Sequence, residues 1–399
     1  MANLQINPHR TGDVGAMAHK SIVIGSKRVD TPAKAVEIEK ISGSDKVVER
    51  ARGINEIYAQ FDASKIQDAR RGTNESFLEN FTDPLQKAQD GELNVVILRY
   101  TETNELRRGD LRWVVDQLDT YSDIIVAPLM ADLARQAAKD EQDAGPINTL
   151  AFENLRKNIK KFLEVASDLD VEQPLMGMLP VRLPWECNRI LFDKYRDEGI
   201  RAFCANFDDR TATANRQVSE FLQPFLGAIT DEGLADRVLT YAVNVDRTKN
   251  HDSKASPTAQ DFITMAHGFD ILGENHIGLR MPEEDIRKIQ ERMRNEPTSF
   301  DTFDTGEYVY HKCTLSDIDR HFPSDTALNL DRIKQRLRQR EEPPYRIRAL
   351  FNAEQMSLAT QDLRTALQRG DARDVLRSKD GIGANEIDSL EAVREAYEA

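Results

Sequence analysis

The sequence is poor in cysteine: Cys187, Cys204 and Cys313 are its only three, widely spaced and odd in number. Such a set builds neither a disulfide framework nor a Cys-x-x-Cys metal cluster, and the three are expected as small buried hydrophobes. Long apolar runs are missing too. No stretch approaches the roughly 18 residues a bilayer span needs, and mean hydropathy is -0.57. The opening MANLQINPHR has no basic start followed by an apolar stretch, so no secretory signal is read and a cytoplasmic location is expected. No Gly-x-Gly-x-x-Gly or Gly-x-x-x-x-Gly-Lys-Ser/Thr follows any apolar run, which removes the usual phosphate-cradling loops of open nucleotide-binding sheets.

What is present is enough for a large core. The chain has 399 residues, 40% of them apolar and 31% charged, a profile unlike that of a disordered segment. Net charge is -14, from 68 acidic and 54 basic residues. That disfavours bulk attraction to a polyanion but leaves room for a local basic face.

Short apolar, β-branched runs alternate with amphipathic stretches. Eight runs read as strands: 33–38, 56–61, 94–100, 123–128, 174–179, 200–207, 237–245 and 268–274. Several are continuous rather than alternating, as in strands covered on both faces. Between them, 111–118, 152–166, 186–198 and 213–225 carry apolar residues at helical spacing, and 261–266 reads as a short helix. Eight strand–helix units predict an α/β fold, a (β/α)8 barrel over residues 1–280, with an open doubly wound sheet as the alternative. The segment 21–32 reads as a hairpin under the barrel. From 281 to 399 the pattern reads as helices only (282–294, 328–340, 349–369 and 387–398), joined by an irregular link at 295–317.

In such a barrel the chemistry comes from the carboxyl ends of the strands. Strand three ends in Arg99 and Tyr100, strand six in Asn206 and Asp208, strand seven in Asn244, Asp246 and Arg247, followed by Lys249 and His251, and strand eight in Glu274 and His276. Pairs of carboxylates can divide into acid and base, so Asp208, Asp246, Glu274 and His276 are the catalytic candidates. Asn206, Asn244, Arg247, Tyr100 and Arg99 are candidates for holding substrate. Each has a plainer alternative: Asp208 as a helix cap, Asp246 and Arg247 as a loop ion pair. His311 and Cys313 have no further ligands nearby in sequence, so no metal or cofactor is expected.

A second feature is 332–348, RIKQRLRQREEPPYRIR, with seven basic residues on an acidic chain. Arg332, Arg336 and Arg340 share a helical face. With Arg346, Arg348 and a stacking Tyr345 they are candidates for contacting nucleic acid; a solvated helix surface is the alternative.

The stretches IVIGSKRVDTPAKAV, PLMGMLP with GIRAFCANF, RVLTYAVNV, SPTAQDFITMAHGFDIL and RALFNAEQMSLATQDLRTAL together resemble the tRNA-guanine transglycosylase superfamily, including members that insert 7-deazaguanine bases into DNA. The resemblance implies a barrel that exchanges a (7-deaza)guanine base in nucleic acid, most plausibly DNA. The departures are specific. The family's nucleophilic aspartate falls at Gly273, its base-recognising aspartate at Leu129 and its strand-five glutamine at Pro180. The three-cysteine zinc motif is missing, and the zinc histidine falls at Gln361. Three functions stay open: exchange through Glu274 or Asp246, a non-catalytic paralogue binding nucleic acid or a catalytic partner (a homodimer among the possible assemblies), and an unrelated barrel lyase or hydrolase. The last would take a small acidic metabolite through Arg99, Arg247 and Lys249.

Overall fold

The computed structural model describes residues 4–41, 47–138, 147–248, 256–277, 284, 287, 299–323, 326–339 and 344–398. Lys249, His251, Arg340 and nearly all of 282–294 lie outside them.

The chain opens with a three-stranded antiparallel sheet, β1 (Gln5–Thr11), β2 (Ala18–Ile24) and β3 (Lys27–Thr31). The β2–β3 hairpin turns through Gly25 at φ 58°, a left-handed conformation a tight two-residue turn requires. The expected hairpin is therefore present, with β1 as an added strand. Lys20 on β2 donates from Nζ to Asp270 Oδ2 and to the Val238 carbonyl, both at 3.1 Å. This ties the hairpin to the start of two barrel strands and makes it the floor of the barrel.

The barrel strands are β4 (Ala33–Lys34), β5 (Val36–Glu37), β6 (Ile54–Phe61), β7 (Leu93–Tyr100), β8 (Ile124–Val126), β9 (Leu175–Pro180), β10 (Ala202–Arg210), β11 (Leu239–Val245) and β12 (Ile271–Leu272). Their order is β4-β12-β11-β10-β9-β8-β7-β6-β5, all parallel. β4 and β5 are two pieces of one strand, parted only at Ala35, whose N–H donates to the Leu272 carbonyl at 2.9 Å. The ring therefore closes on itself through that strand, and eight strands make a (β/α)8 barrel. Burial on both faces accounts for the continuous apolar runs: all seven residues of β11 are buried.

The outer layer follows from helical periodicity. In the helix Thr149–Leu169, Phe152, Leu155, Ile159, Phe162, Leu163 and Ala166 are buried; Asn148 caps its start and Asp170 ends it in the left-handed conformation. Arg108–Tyr121, Ala131–Ala138, Trp185–Asp197 and the run from Asn215 through a π-helical turn to Asp231 fill further positions. Strand one differs. Between it and β6 the described residues form only the short turns Ile38–Lys40 and Glu49–Ala51. The long helix Pro344–Arg369 lies along strand one instead, and Arg364 donates to the carbonyls of Asp30 at 3.1 Å and Pro32 at 2.6 Å.

One expectation is corrected. The stretch read as an irregular link within a helices-only tail contains an antiparallel hairpin, β13 (Ser299–Asp304) and β14 (Val309–Thr314). Polar Asp301, Thr302 and Asp304 dilute its apolar alternation. Its turn is set by Asp304, whose Oδ1 accepts from the N–H groups of Gly306 and Glu307 at 2.7 and 3.0 Å. The tail also packs on the barrel: Ala384–Glu398 lies against Gln223–Asp231.

Candidate functional site

The carboxyl end of the barrel holds a buried polar network that an apolar core would not tolerate unpaired. Its hub is Glu56, on β6, whose side chain is wholly buried. Glu56 Oε1 accepts from the ring of His276 at 2.6 Å and from the Glu274 backbone N–H at 2.9 Å; its other oxygen accepts from the Tyr241 hydroxyl. Burial opposes charge on Glu56, but His276, Lys34 and that hydroxyl outweigh it, holding the carboxyl below its usual range.

His276 is the counterpart. Burial disfavours its cation, yet Glu56, Glu37 and Glu274 together lift its pKa above the ordinary value. Glu37 Oε1 stands 3.8 Å from Nδ1, and the ring of Tyr58 stacks on the imidazole at 4.2 Å and 5°. Burial pushes Glu37 itself up to about 7, against the opposing pull of His276.

Glu274 forms a buried ion pair with Lys34 at 2.5 Å, and Lys34 Nζ also donates to the carbonyls of Ala35 and Gly273. The second Glu274 oxygen faces Arg247 Nη2 at 3.9 Å. Glu274 and His276, two of the four catalytic candidates, are therefore joined through one carboxylate. At Gly273 a Cβ would overlap the Glu56 carboxylate and the Tyr241 ring. Glu56 fills that space from the other side of the barrel.

Asp208 is used differently. It accepts a two-nitrogen grip from Arg135 and pairs with Arg182 at 3.2 Å and Arg210 at 3.7 Å. Arg135 continues to Asp132, which Arg99 also meets, both at 2.6 Å. Asp208 and Asp209 are left-handed at φ 50° and 65°, next to a bulge in the β10–β11 register; Asn244 on the adjacent strand is at 57°. Three such non-glycine residues at neighbouring strand ends store strain at the mouth, a feature that gathers at functional sites.

Asp246 shares no hydrogen bond or ion pair with Glu274 or His276 among the described residues. Burial, then the charge of Asp209, raises its carboxyl to about 6. Asn244 Nδ2 donates to Asn206 Oδ1 at 2.8 Å and Asn244 Oδ1 accepts from the His276 N–H at 2.9 Å, so both amides clasp strand ends. The Tyr100 hydroxyl donates to Glu102 at 2.9 Å and holds the loop after β7.

On the basic stretch, Arg332 and Arg336 are half-buried on Leu330–Gln339, and Tyr345 is exposed with Lys40 5.4 Å from its ring. Arg346 donates to the Lys40 carbonyl at 2.7 Å, while Arg348 feels the charges of Arg247, Asp301 and Glu274. Among the described residues, two groups have metal-ligating side chains close together, His9 with His19 and Asp30, and Asp304 with Glu307 and His311. Neither bonds to the network around Glu56.

Glu56, Lys34, Tyr58 and Tyr241 are network residues that a reading of strand ends misses, because they lie within strands; Glu37 closes strand one, an end not among those considered. A glutamate inside the apolar run INEIYAQF was the available signal.

No protein-family model matches the chain, and no curated protein matches it. The fold defines a parallel-barrel protein of the (β/α)8 type, a scaffold that commonly carries enzymes with their sites at this end. No helix among the described residues is long and apolar enough to cross a membrane.

Proposed function

We propose that the chain is a base-exchange glycosyltransferase acting on a (7-deaza)guanine in nucleic acid, DNA in particular. The observation that carries this reading is the joined Glu56–His276–Glu274 network, packed where the resemblance places a nucleophilic carboxylate. Glu274 is the carboxylate whose oxygen bonds to C1′ as the bond to the departing base breaks. His276, held as a cation by Glu56, gives its proton to the departing base and recovers one from the incoming base. That base then attacks C1′ and displaces Glu274.

A second reading, a barrel lyase or hydrolase on a small acidic metabolite, is favoured by Arg99, Arg135, Arg182 and Arg210 around the mouth. Incubation with labelled 7-deazaguanine precursor and DNA or tRNA separates the two. Incorporation abolished by Glu274→Ala is expected. Incorporation into neither polymer would sink the glycosyl-transfer reading.

A further inference from the structure

Two arginines reach the strand-eight side of the mouth from distant parts of the chain. Arg247 follows β11, and its backbone carbonyl accepts from the Gln260 N–H at 2.8 Å. Arg348 lies in the first turns of Pro344–Arg369. Its place is fixed one helical turn on by Asn352, which clamps β13: Nδ2 donates to the Asp301 carbonyl at 3.1 Å and Oδ1 accepts from the Phe303 N–H at 2.8 Å. Both guanidiniums lie within electrostatic reach of Asp301, Tyr310 and Glu274, and Arg247 of Asp261 as well.

Both are short of hydrogen-bond acceptors among the described residues, although Tyr310, Glu274, Asp261 and Asp301 outweigh burial and strengthen the hold of Arg247 on its proton. Among the described residues Arg247 makes one ion-pair contact, to Glu274 at 3.9 Å, and that carboxylate is already paired with Lys34 at 2.5 Å. Tyr310 gives its hydroxyl hydrogen to Asp261, at 2.8 Å from Oδ2 and 3.0 Å from Oδ1, which partly occupies that carboxylate. Among the described residues, no acceptor meets the buried Nε of Arg348. Burial, then the charge of Arg247, weakens the hold of Arg348 on its proton. A guanidinium stays charged regardless, so the fold keeps two like charges together with donors to spare. A buried donor without a partner is costly, and evolution retains such costs where a ligand supplies the missing acceptor.

We propose that Arg247 and Arg348 form a phosphoryl-binding clamp beside Glu274. A phosphoryl group answers both deficits: its charge sits between the two guanidiniums, and its several oxygens accept forked N–H pairs from both. Assigning that group to the substrate rests on the glycosyl-transfer reading. The clamp itself does not, because the group can belong to a polynucleotide backbone or to a small phosphate ester.

The test is thermal melting of the full chain in inorganic phosphate, in guanosine 5′-monophosphate and with a short DNA oligonucleotide, each against chloride at equal ionic strength. Wild type is expected to melt higher with at least one of these ligands. Arg348→Met is expected to lose that rise, with its affinity weakened about tenfold or more, while melting no lower than wild type in chloride, because it removes an uncompensated charge. Arg348→Lys keeps the charge without the fork and falls between. A rise with the oligonucleotide alone assigns the phosphoryl group to a polymer; a rise with phosphate or the monophosphate assigns it to a small ligand. Equal rises in wild type and Arg348→Met would overturn the clamp, as would Arg348→Met melting lower in chloride with no ligand effect on wild type. Glu274→Gln is expected to keep the rise; wild type that binds these ligands yet performs no base exchange leaves the clamp standing and removes the reading above.

Discussion

The imidazole of His276 stands 2.6 Å from Oε1 of Glu56, two residues 220 positions apart in sequence and joined inside the barrel. Removing one partner of such a pair strands a buried charge, which typically costs about 3–5 kcal/mol. Glu56→Gln is expected to lose stability on that scale in urea denaturation. The raised His276 value gives stability that is complete below 6.5 and lost as pH rises through it. The lowered Glu56 value gives stability present above 4.5 and lost as pH falls through it. The gap between wild type and Glu56→Gln should therefore be widest between pH 4.5 and 6.5. A gap that does not vary with pH contradicts the pairing.

Asp246 carries the opposite sign for a carboxylate. Burial and Asp209 lift it from 3.8 to about 6, so the folded state favours its protonated form. That contribution is whole below 3.8 and is lost as pH rises through about 6. Asp246→Asn should accordingly stabilise the protein at pH 7 to 8, by about 1 kcal/mol after discounting for its partial exposure, with no gain below pH 4. If Asp246 is also the acid or base of the reaction, the variant removes one limb of the pH–rate profile. Unchanged stability at pH 8 would contradict the shift.

Gly273 leaves room that Glu56 and Tyr241 occupy. Gly273→Ala should cost about 1–3 kcal/mol by overpacking. Glu56→Asp, one methylene shorter, should reduce that penalty in a double-mutant cycle. Additive costs would place the two side chains out of contact.

Tyr345 is 53% exposed, so Tyr345→Ala should alter stability by no more than about 0.5 kcal/mol. If the basic stretch holds single-stranded DNA, the same change should weaken binding by about 1–3 kcal/mol through lost stacking. Arg332→Gln should lower the salt slope of that binding by about one ion. Fluorescence anisotropy at several salt concentrations measures both, and unchanged affinity in both variants removes this face from the interface.

The barrel was legible because its strands are buried on both sides, and continuous runs such as VVIL and RVLTYAVNV have few other uses. The β13–β14 hairpin was not, since strands with Asp301, Thr302, His311 and Lys312 resemble a loop until Phe303 and Tyr310 are seen buried together. Strand ends led to Glu274 and His276 but not to Glu56 or Lys34. Those two point into the barrel from within strands, and only ring closure brings β4, β6 and β12 into reach of one another. Arg348 looked like part of a surface stripe; the turn of its helix over the barrel sets it apart from its neighbours.

The placing of Pro344–Arg369 along strand one has a consequence for the order of assembly. The helix that shields strand one is synthesised more than three hundred residues after it. The seam of the ring must wait, uncovered, while the residues between them are made. A chain released at residue 280 would carry every barrel strand and still expose that seam, so aggregation of such a fragment, relieved by supplying the tail in trans, is the behaviour this architecture implies.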